Sequence, residues 1–254
     1  MLTTLRHGAP GAAPPLLVAH GLFGSARNWG AIARALADRG PVIAVDMRNH
    51  GASPRAPDHS YPALAADLAE VIAAEGGPAD VLGHSMGGKA AMMLALTRPE
   101  LVRRLVVADI APVAYGHSQQ GLIDAMRALD LTDLPGRAEA DRRLAAHIQD
   151  PGVRAFLLQS LDLKSDPPAW RFNLDALEAN MEAILGWPGT DAQFEGPALF
   201  LAGGASDYVR PEHRPAIRHS FPRARIARVP GAGHWLHPDR PEAVAATLRA
   251  FLDA

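Results

Sequence analysis

The chain has 254 residues, 48% of them hydrophobic, with 25 Lys and Arg against 27 Asp and Glu and a formal net charge of -2. This suits a single domain with a substantial core and leaves no basic excess for nucleic acid or an anionic membrane. Cysteine is absent, which excludes disulfides, thiolate nucleophiles and Cys-based metal sites; no apolar run approaches a membrane span, and the first residues lack a signal-peptide layout, so a cytoplasmic location is expected.

After a Gly/Pro-rich lead-in, residues 15–20 form an unbroken apolar run (Leu16, Leu17, Val18) that ends in His20-Gly21-Leu22-Phe23-Gly24. Continuous rather than alternating apolarity predicts a strand covered on both faces, hence a parallel sheet between helices. The pattern then predicts a helix over 29–38, a strand over 42–46, a helix over 61–75, a strand over 79–82, a helix over 86–97 and a strand over 105–109. Such alternation implies a doubly wound α/β sheet with ligands at the carboxyl ends of its strands, where His20, Asp46, Ser85 and Asp109 fall. His20 is expected to hold its loop by hydrogen bonds. Asp46-Met47-Arg48-Asn49-His50-Gly51 is expected to tie loops together through Arg–carboxylate and Asx-type bonds.

From 112 to 194 no strand-like run occurs, only helical patterns at 122–129, 139–148, 153–161 and 174–185. A helical cap at 112–194, inserted into a core of 1–111 and 195–254, is the expectation. Trp170, Phe172, Trp187, Leu157, Leu158 and Leu161 read first as cap core, and some of them as a pocket wall. The alternation resumes with a strand over 198–202, a helix over 211–221, a strand over 225–229 and a helix over 242–252.

The chemistry centres on Gly83-His84-Ser85-Met86-Gly87-Gly88-Lys89. A serine lifted above the end of a buried strand adopts strained dihedrals, and bulky side chains two residues away would collide, so Gly83 and Gly87 fit a nucleophile elbow. The same stretch spells G-x-x-x-x-G-K, a phosphate-cradling loop, but Ala90 stands where a Mg²⁺-binding hydroxyl belongs, and two strand–helix units precede it. Lys89 is therefore read as a helix side chain reaching solvent or a carboxylate. A serine nucleophile needs a base, and His234 in Gly231-Ala232-Gly233-His234-Trp235 supplies a late histidine on a glycine-rich loop. His237, followed by Pro238, reads as the start of the last helix. Backbone N–H groups of Met86 and Leu22 are the candidate oxyanion donors, with Phe23 in reserve.

Two carboxylates compete as the third member. Asp109 ends an apolar strand beside that of Ser85, where burial without a partner would be costly. Asp207 lies in Gly203-Gly204-Ala205-Ser206-Asp207-Tyr208-Val209, where aligning the ends on G-x-x-D-x-x-V puts Ser206 at the acid's place. Ser206 is then a supporting group. No metal is expected: His234 and His237 are spaced i, i+3 but lack a third ligand nearby, and H-E-x-x-H is absent.

On these motifs, together with Asp109-Ile110-Ala111-Pro112 and Trp170-Arg171-Phe172-Asn173, the chain resembles the α/β-hydrolase superfamily and, within it, the small YbfF-type esterases and their mitochondrial relatives. The resemblance runs along almost the whole chain. It implies a triad acid before the cap, matching Asp109, with a serine matching Ser206 behind it; Asp207 departs from the group's non-acidic residue. The resulting expectation is a cofactor-free serine hydrolase of acyl esters or thioesters, with a triad of Ser85, His234 and Asp109 and an acyl-enzyme intermediate. The alternatives are a C–C bond hydrolase or perhydrolase with the same triad, and a ligand-binding protein with a vestigial one. Dehalogenases and epoxide hydrolases of this fold use an aspartate nucleophile, and only Tyr61, Tyr115 and Tyr208 are available to open an epoxide.

Overall fold

The computed structural model describes residues 1–254 apart from Pro10, Ala12 and His117. Four strands and two helices lead to the elbow, and a third helix leaves it: β1 (Thr4–His7), β2 (Leu16–Ala19), α1 (Gly30–Leu36), β3 (Val42–Val45), α2 (Tyr61–Ala74), β4 (Ala79–His84) and then α3 (Met86–Thr97). Then follow β5 (Val102–Ala108), α4 (Gln120–Ala128), α5 (Arg137–Leu144), α6 (Pro151–Leu158), β6 (Leu161–Asp162), β7 (Ala169–Trp170), α7 (Leu174–Ala179) and α8 (Met181–Leu185). The chain closes with β8 (Ala198–Gly203), α9 (Arg214–Ser220), β9 (Ala224–Val229), α10 (Leu236–Asp239) and α11 (Pro241–Leu252).

The main sheet has the order β1-β3-β2-β4-β5-β8-β9, parallel except for β1, which pairs antiparallel with β3. The unbroken apolar runs have the expected cause. In β2, Leu17 and Ala19 join a core with α2 and α3, while Leu16 and Val18 face the opposite core with α1 and α11. The carboxyl ends of β2, β4, β5, β8 and β9 therefore meet along one edge, and the loops that follow them build the site.

Three features depart from the sequence expectation. Strand β1 was hidden in the lead-in because three of its four residues are exposed, so no apolar pattern marks it. Between β5 and β8 a two-stranded ribbon, β6 with β7, accompanies the helices. Its two-residue strands are too short for any periodicity to reveal. The helix expected over 174–185 breaks at Asn180, whose side chain accepts from His59 N–H at 3.2 Å and donates to Pro57 O at 2.8 Å. Loop 57–59 thereby captures the residue at the break. A second tie, Asn173 N–H to Asn49 O at 2.9 Å beside the His50–Phe172 bridge, joins the same loop region to the segment before α7. Among the described residues no helix is long and apolar enough to cross a membrane.

Candidate active site

Ser85 sits between β4 and α3 with φ 51° and ψ -120°, a conformation that strains an L residue. The elbow is closed too tightly for side chains on its flanks. A Cβ on Gly83 would lie 2.2 Å from Gly87 O, and one on Gly87 would lie 2.4 Å from His20 O. Backbone bonds from Ser85 N–H to Ala108 O and from Lys89 N–H to Ser85 O, each 3.0 Å, lock the turn to β5 and to the helix.

The loop after β9 brings His234 to the serine. Its Nε2 lies 3.1 Å from Ser85 Oγ, and its Nδ1 lies 2.8 Å from Asp109 Oδ2. A carboxylate only accepts, so Nδ1 carries the proton and Nε2 offers its lone pair to the serine hydroxyl. Asp109 is fully buried at the end of β5 with φ 50°, and Gly203 N–H donates to its Oδ1 at 2.8 Å. Ser206 Oγ donates a short bond to Oδ2. Three donors thus surround a charge that would otherwise be costly to bury. Asp207 is exposed, borders a separate cavity of about 380 Å³, and makes no bond to the imidazole among the described residues. The imidazole is engaged by Asp109.

Leu22 and Met86 both line the cavity in front of Ser85, and among the described residues neither N–H donates to another protein group. Phe23 N–H, the reserve donor, is instead given to His50 Nε2 at 3.2 Å. His20 holds its loop as expected: Nδ1–H donates to Gly21 O at 2.7 Å, and Nε2 accepts from Met47 N–H at 3.0 Å. The Asp46–Gly51 stretch also ties loops, with Asp46 accepting from Ala26 and Ala52 N–H and Arg48 pairing with Asp67 at 2.5 Å.

Two groups that sequence reasoning did not single out steady the base. His84 Nε2–H donates to His234 O at 2.9 Å, and burial holds its pKa well below the ordinary value, so it stays neutral. Tyr208 stacks on the His234 ring with centroids 3.9 Å apart and planes 20° from parallel. His84 adjoins the serine in sequence, but nothing in its spacing announces that bond. His237 is likewise neutral by burial and stacks on Trp29 at 4.2 Å, in α10 rather than the last helix. No group of three potential metal ligands converges among the described residues.

Lys89 departs from expectation. It is 1% exposed, and its ammonium reaches neither solvent nor an acid but donates to Leu185 O at 2.9 Å and Gly186 O at 2.5 Å, over the Tyr115 ring at 4.9 Å. A lysine tied down in this way does not serve the phosphate loop its spacing imitates. Burial lowers its pKa from the ordinary 10.5 to about 7. Between those values the unfolded chain binds more protons than the folded one, so this group's contribution to stability rises with pH. Relative to Lys89→Met, the wild type should therefore gain roughly 3 kcal/mol between pH 7 and 9.5 in urea unfolding. Parallel pH profiles for the two proteins would refute this assignment.

The cavity over Ser85 measures about 630 Å³, and its apolar wall includes Leu122, Val153, Phe156, Ile184 and Trp235. The sequence-based candidates Trp170, Phe172, Leu157, Leu158 and Leu161 are instead buried packing, and Trp187 stands beside Tyr61 outside the cavity wall. Phe156 was the missed neighbour: it is half-buried and meets Trp235 at 5.2 Å.

A family model described as "Alpha/beta hydrolase family" matches residues 16–247. The chain is 42% identical over 248 residues to the "sn-1-specific diacylglycerol lipase" of Mus musculus, covering 94% of this chain and 81% of that protein. It is 40% identical over 241 residues to "Esterase YbfF" of Escherichia coli (strain K12), covering 94% and 93%. A solved structure, "Marine microorganism esterase", superposes with a TM-score of 0.93 at 38% identity, covering 98% of each chain.

Proposed function

The chain belongs to the alpha/beta-hydrolase family, and we propose that within it the protein is a serine carboxylic-ester hydrolase that works through an acyl-enzyme. Ser85 Oγ attacks the carbonyl carbon of an acyl ester or thioester as His234 Nε2 takes its proton. Asp109 faces the Nδ1–H and stabilises the imidazolium that forms. The N–H groups of Leu22 and Met86 receive the oxyanion. Collapse of the tetrahedral intermediate breaks the bond to the leaving alcohol or thiol, which His234 protonates. Water, deprotonated by His234, then attacks the acyl-serine and frees the acid and Ser85.

The observation that carries this reading is the unbroken relay Ser85–His234–Asp109, at 3.1 and 2.8 Å, opening onto an apolar-walled cavity. Ser206 supports the acid in this scheme, and Asp207 takes no part. We assign 112–194 as the cap over a core of 1–111 and 195–254, because Leu122, Val153, Phe156 and Ile184 supply wall to the cavity that Ser85 also lines. The names of the relatives, an esterase and a diacylglycerol lipase, favour ester cleavage over the C–C bond alternative.

The test is covalent labelling with a fluorophosphonate, read as one mass adduct mapped to Ser85, combined with turnover of p-nitrophenyl esters and acyl-thioesters of graded chain length. Failure of both labelling and turnover would remove the esterase reading.

A further inference from the structure

Behind the oxyanion donors lies a row of three buried imidazoles that the reaction itself does not use. His20, His50 and His59 are each 1% exposed, with ring centroids 5.0 Å apart for the first pair and 5.8 Å for the second. Their partners dictate their tautomers. His50 Nδ1–H donates to Arg48 O at 2.9 Å, so its Nε2 can only accept, and it accepts from Phe23 N–H at 3.2 Å. His20 is arranged in the same sense, with Gly21 O as acceptor and Met47 N–H as donor. His59 takes the opposite tautomer: Asn49 Nδ2 donates to its Nδ1 at 3.2 Å, and its Nε2–H faces Met86 Sδ at 3.3 Å. Protonating His20 or His50 would set N–H against N–H. Burial keeps them neutral, with pKa values near 4 and 3.

The consequence lies in the peptide planes. In a trans peptide the carbonyl and the N–H point in opposite directions. Gly21 O is held by His20 Nδ1–H at 2.7 Å and by Gly24 N–H at 2.9 Å, so the N–H of Leu22, on the far side of the same peptide, is aimed away from them. The next peptide is held through Phe23 N–H, whose residue carries the strained φ of 59°. Leu22 is thus clamped between two pinned peptides. The imidazole that pins the second one, His50, lines no part of the cavity.

We propose that His50 is a positioning residue for the oxyanion hole: by accepting Phe23 N–H, and by packing on His20, it keeps the Leu22 N–H aimed at the developing oxyanion. The inference rests on the ester-hydrolase reading above, and its test can fail separately. An acceptor at the Nε2 position is the property required. Glutamine can place its Oε1 there, asparagine falls short, and phenylalanine keeps the ring but leaves Phe23 N–H without a partner.

The experiment measures kcat and KM on a p-nitrophenyl ester, and the inhibition constant of a trifluoromethyl ketone whose hemiketal oxygen mimics the oxyanion, for His50→Gln, His50→Asn and His50→Phe. Asn and Phe should lower kcat about 100-fold with KM within roughly 3-fold, the loss expected when one oxyanion donor is mis-aimed, and should weaken the ketone by a similar factor. Gln should stay within roughly 5-fold of wild type in both. Wild-type kcat in the Phe variant, a kcat loss without a weaker ketone, or equal loss in Gln and Asn would overturn the proposal. If the Phe variant fails to fold, the Gln–Asn comparison decides alone. A wild-type protein that neither hydrolyses the ester nor binds the ketone would instead sink the ester-hydrolase reading.

Discussion

Ser85→Ala is expected to lower kcat by at least about 10⁴-fold and to abolish the fluorophosphonate adduct, with the fold retained. The large effect would follow, under the proposed mechanism, from loss of the hydroxyl assigned to form the acyl bond: His234 Nε2, 3.1 Å from Oγ, would have no hydroxyl to deprotonate. What activity remains would come from the oxyanion donors and from binding alone, with water as the nucleophile. The elbow should survive because its closure depends on Gly83 and Gly87 and on backbone bonds, not on the serine hydroxyl. Near wild-type turnover in this variant, measured with unchanged thermal melting, would show that another group attacks the ester.

Asp109→Asn is expected to cost about 10⁴-fold in kcat, whereas Asp207→Asn should stay within roughly 3-fold of wild type. The carboxylate at 109 only accepts, and so fixes the proton on His234 Nδ1. An amide offers an acceptor and a donor. Gly203 N–H is a fixed backbone donor to the Oδ1 position, so the amide oxygen stays there and the NH₂ takes the Oδ2 position facing the imidazole, where the Ser206 hydroxyl can rotate to accept from it. His234 would then take its proton on Nε2 and face Ser85 as a donor, the wrong tautomer for a base. Asp207 is exposed and makes no bond to His234 among the described residues, so neutralising it leaves the relay untouched. Steady-state kinetics on both variants at one pH decides the matter; inactivation by the change at 207 alone would move the acid there.

The contrast between these carboxylates shows what a sequence can carry. Leu16-Leu17-Val18 and Val81-Leu82 proclaim two-sided burial because each residue's apolarity is a property of the residue, and period and continuity can be read without partners. His234 is legible because a late glycine-rich loop must pass the sheet's carboxyl edge. Asp109 is legible because a charge at the end of an apolar strand demands a counterpart. Lys89 was misjudged for a complementary reason. Its ligands, Leu185 O and Gly186 O, are backbone atoms some hundred residues away, and a carbonyl has no sequence signature. The ribbon of β6 and β7 escaped in the same way, since two residues per strand pair only where the surrounding chain brings them together.

The sequence by itself determined the alternation of strands and helices that carries the parallel part of the sheet, the elbow serine with its flanking glycines, and a short list of candidate groups around it. These follow from local sterics and from periodic apolarity, which each segment carries alone. Only the tertiary structure decided which side chains wall the cavity, which backbone carbonyls hold Lys89, and which imidazoles stand behind the loop after β2. Those are choices among partners far apart along the chain. They are set by distance and by the need to satisfy each buried donor and acceptor, and neither is written in any single stretch.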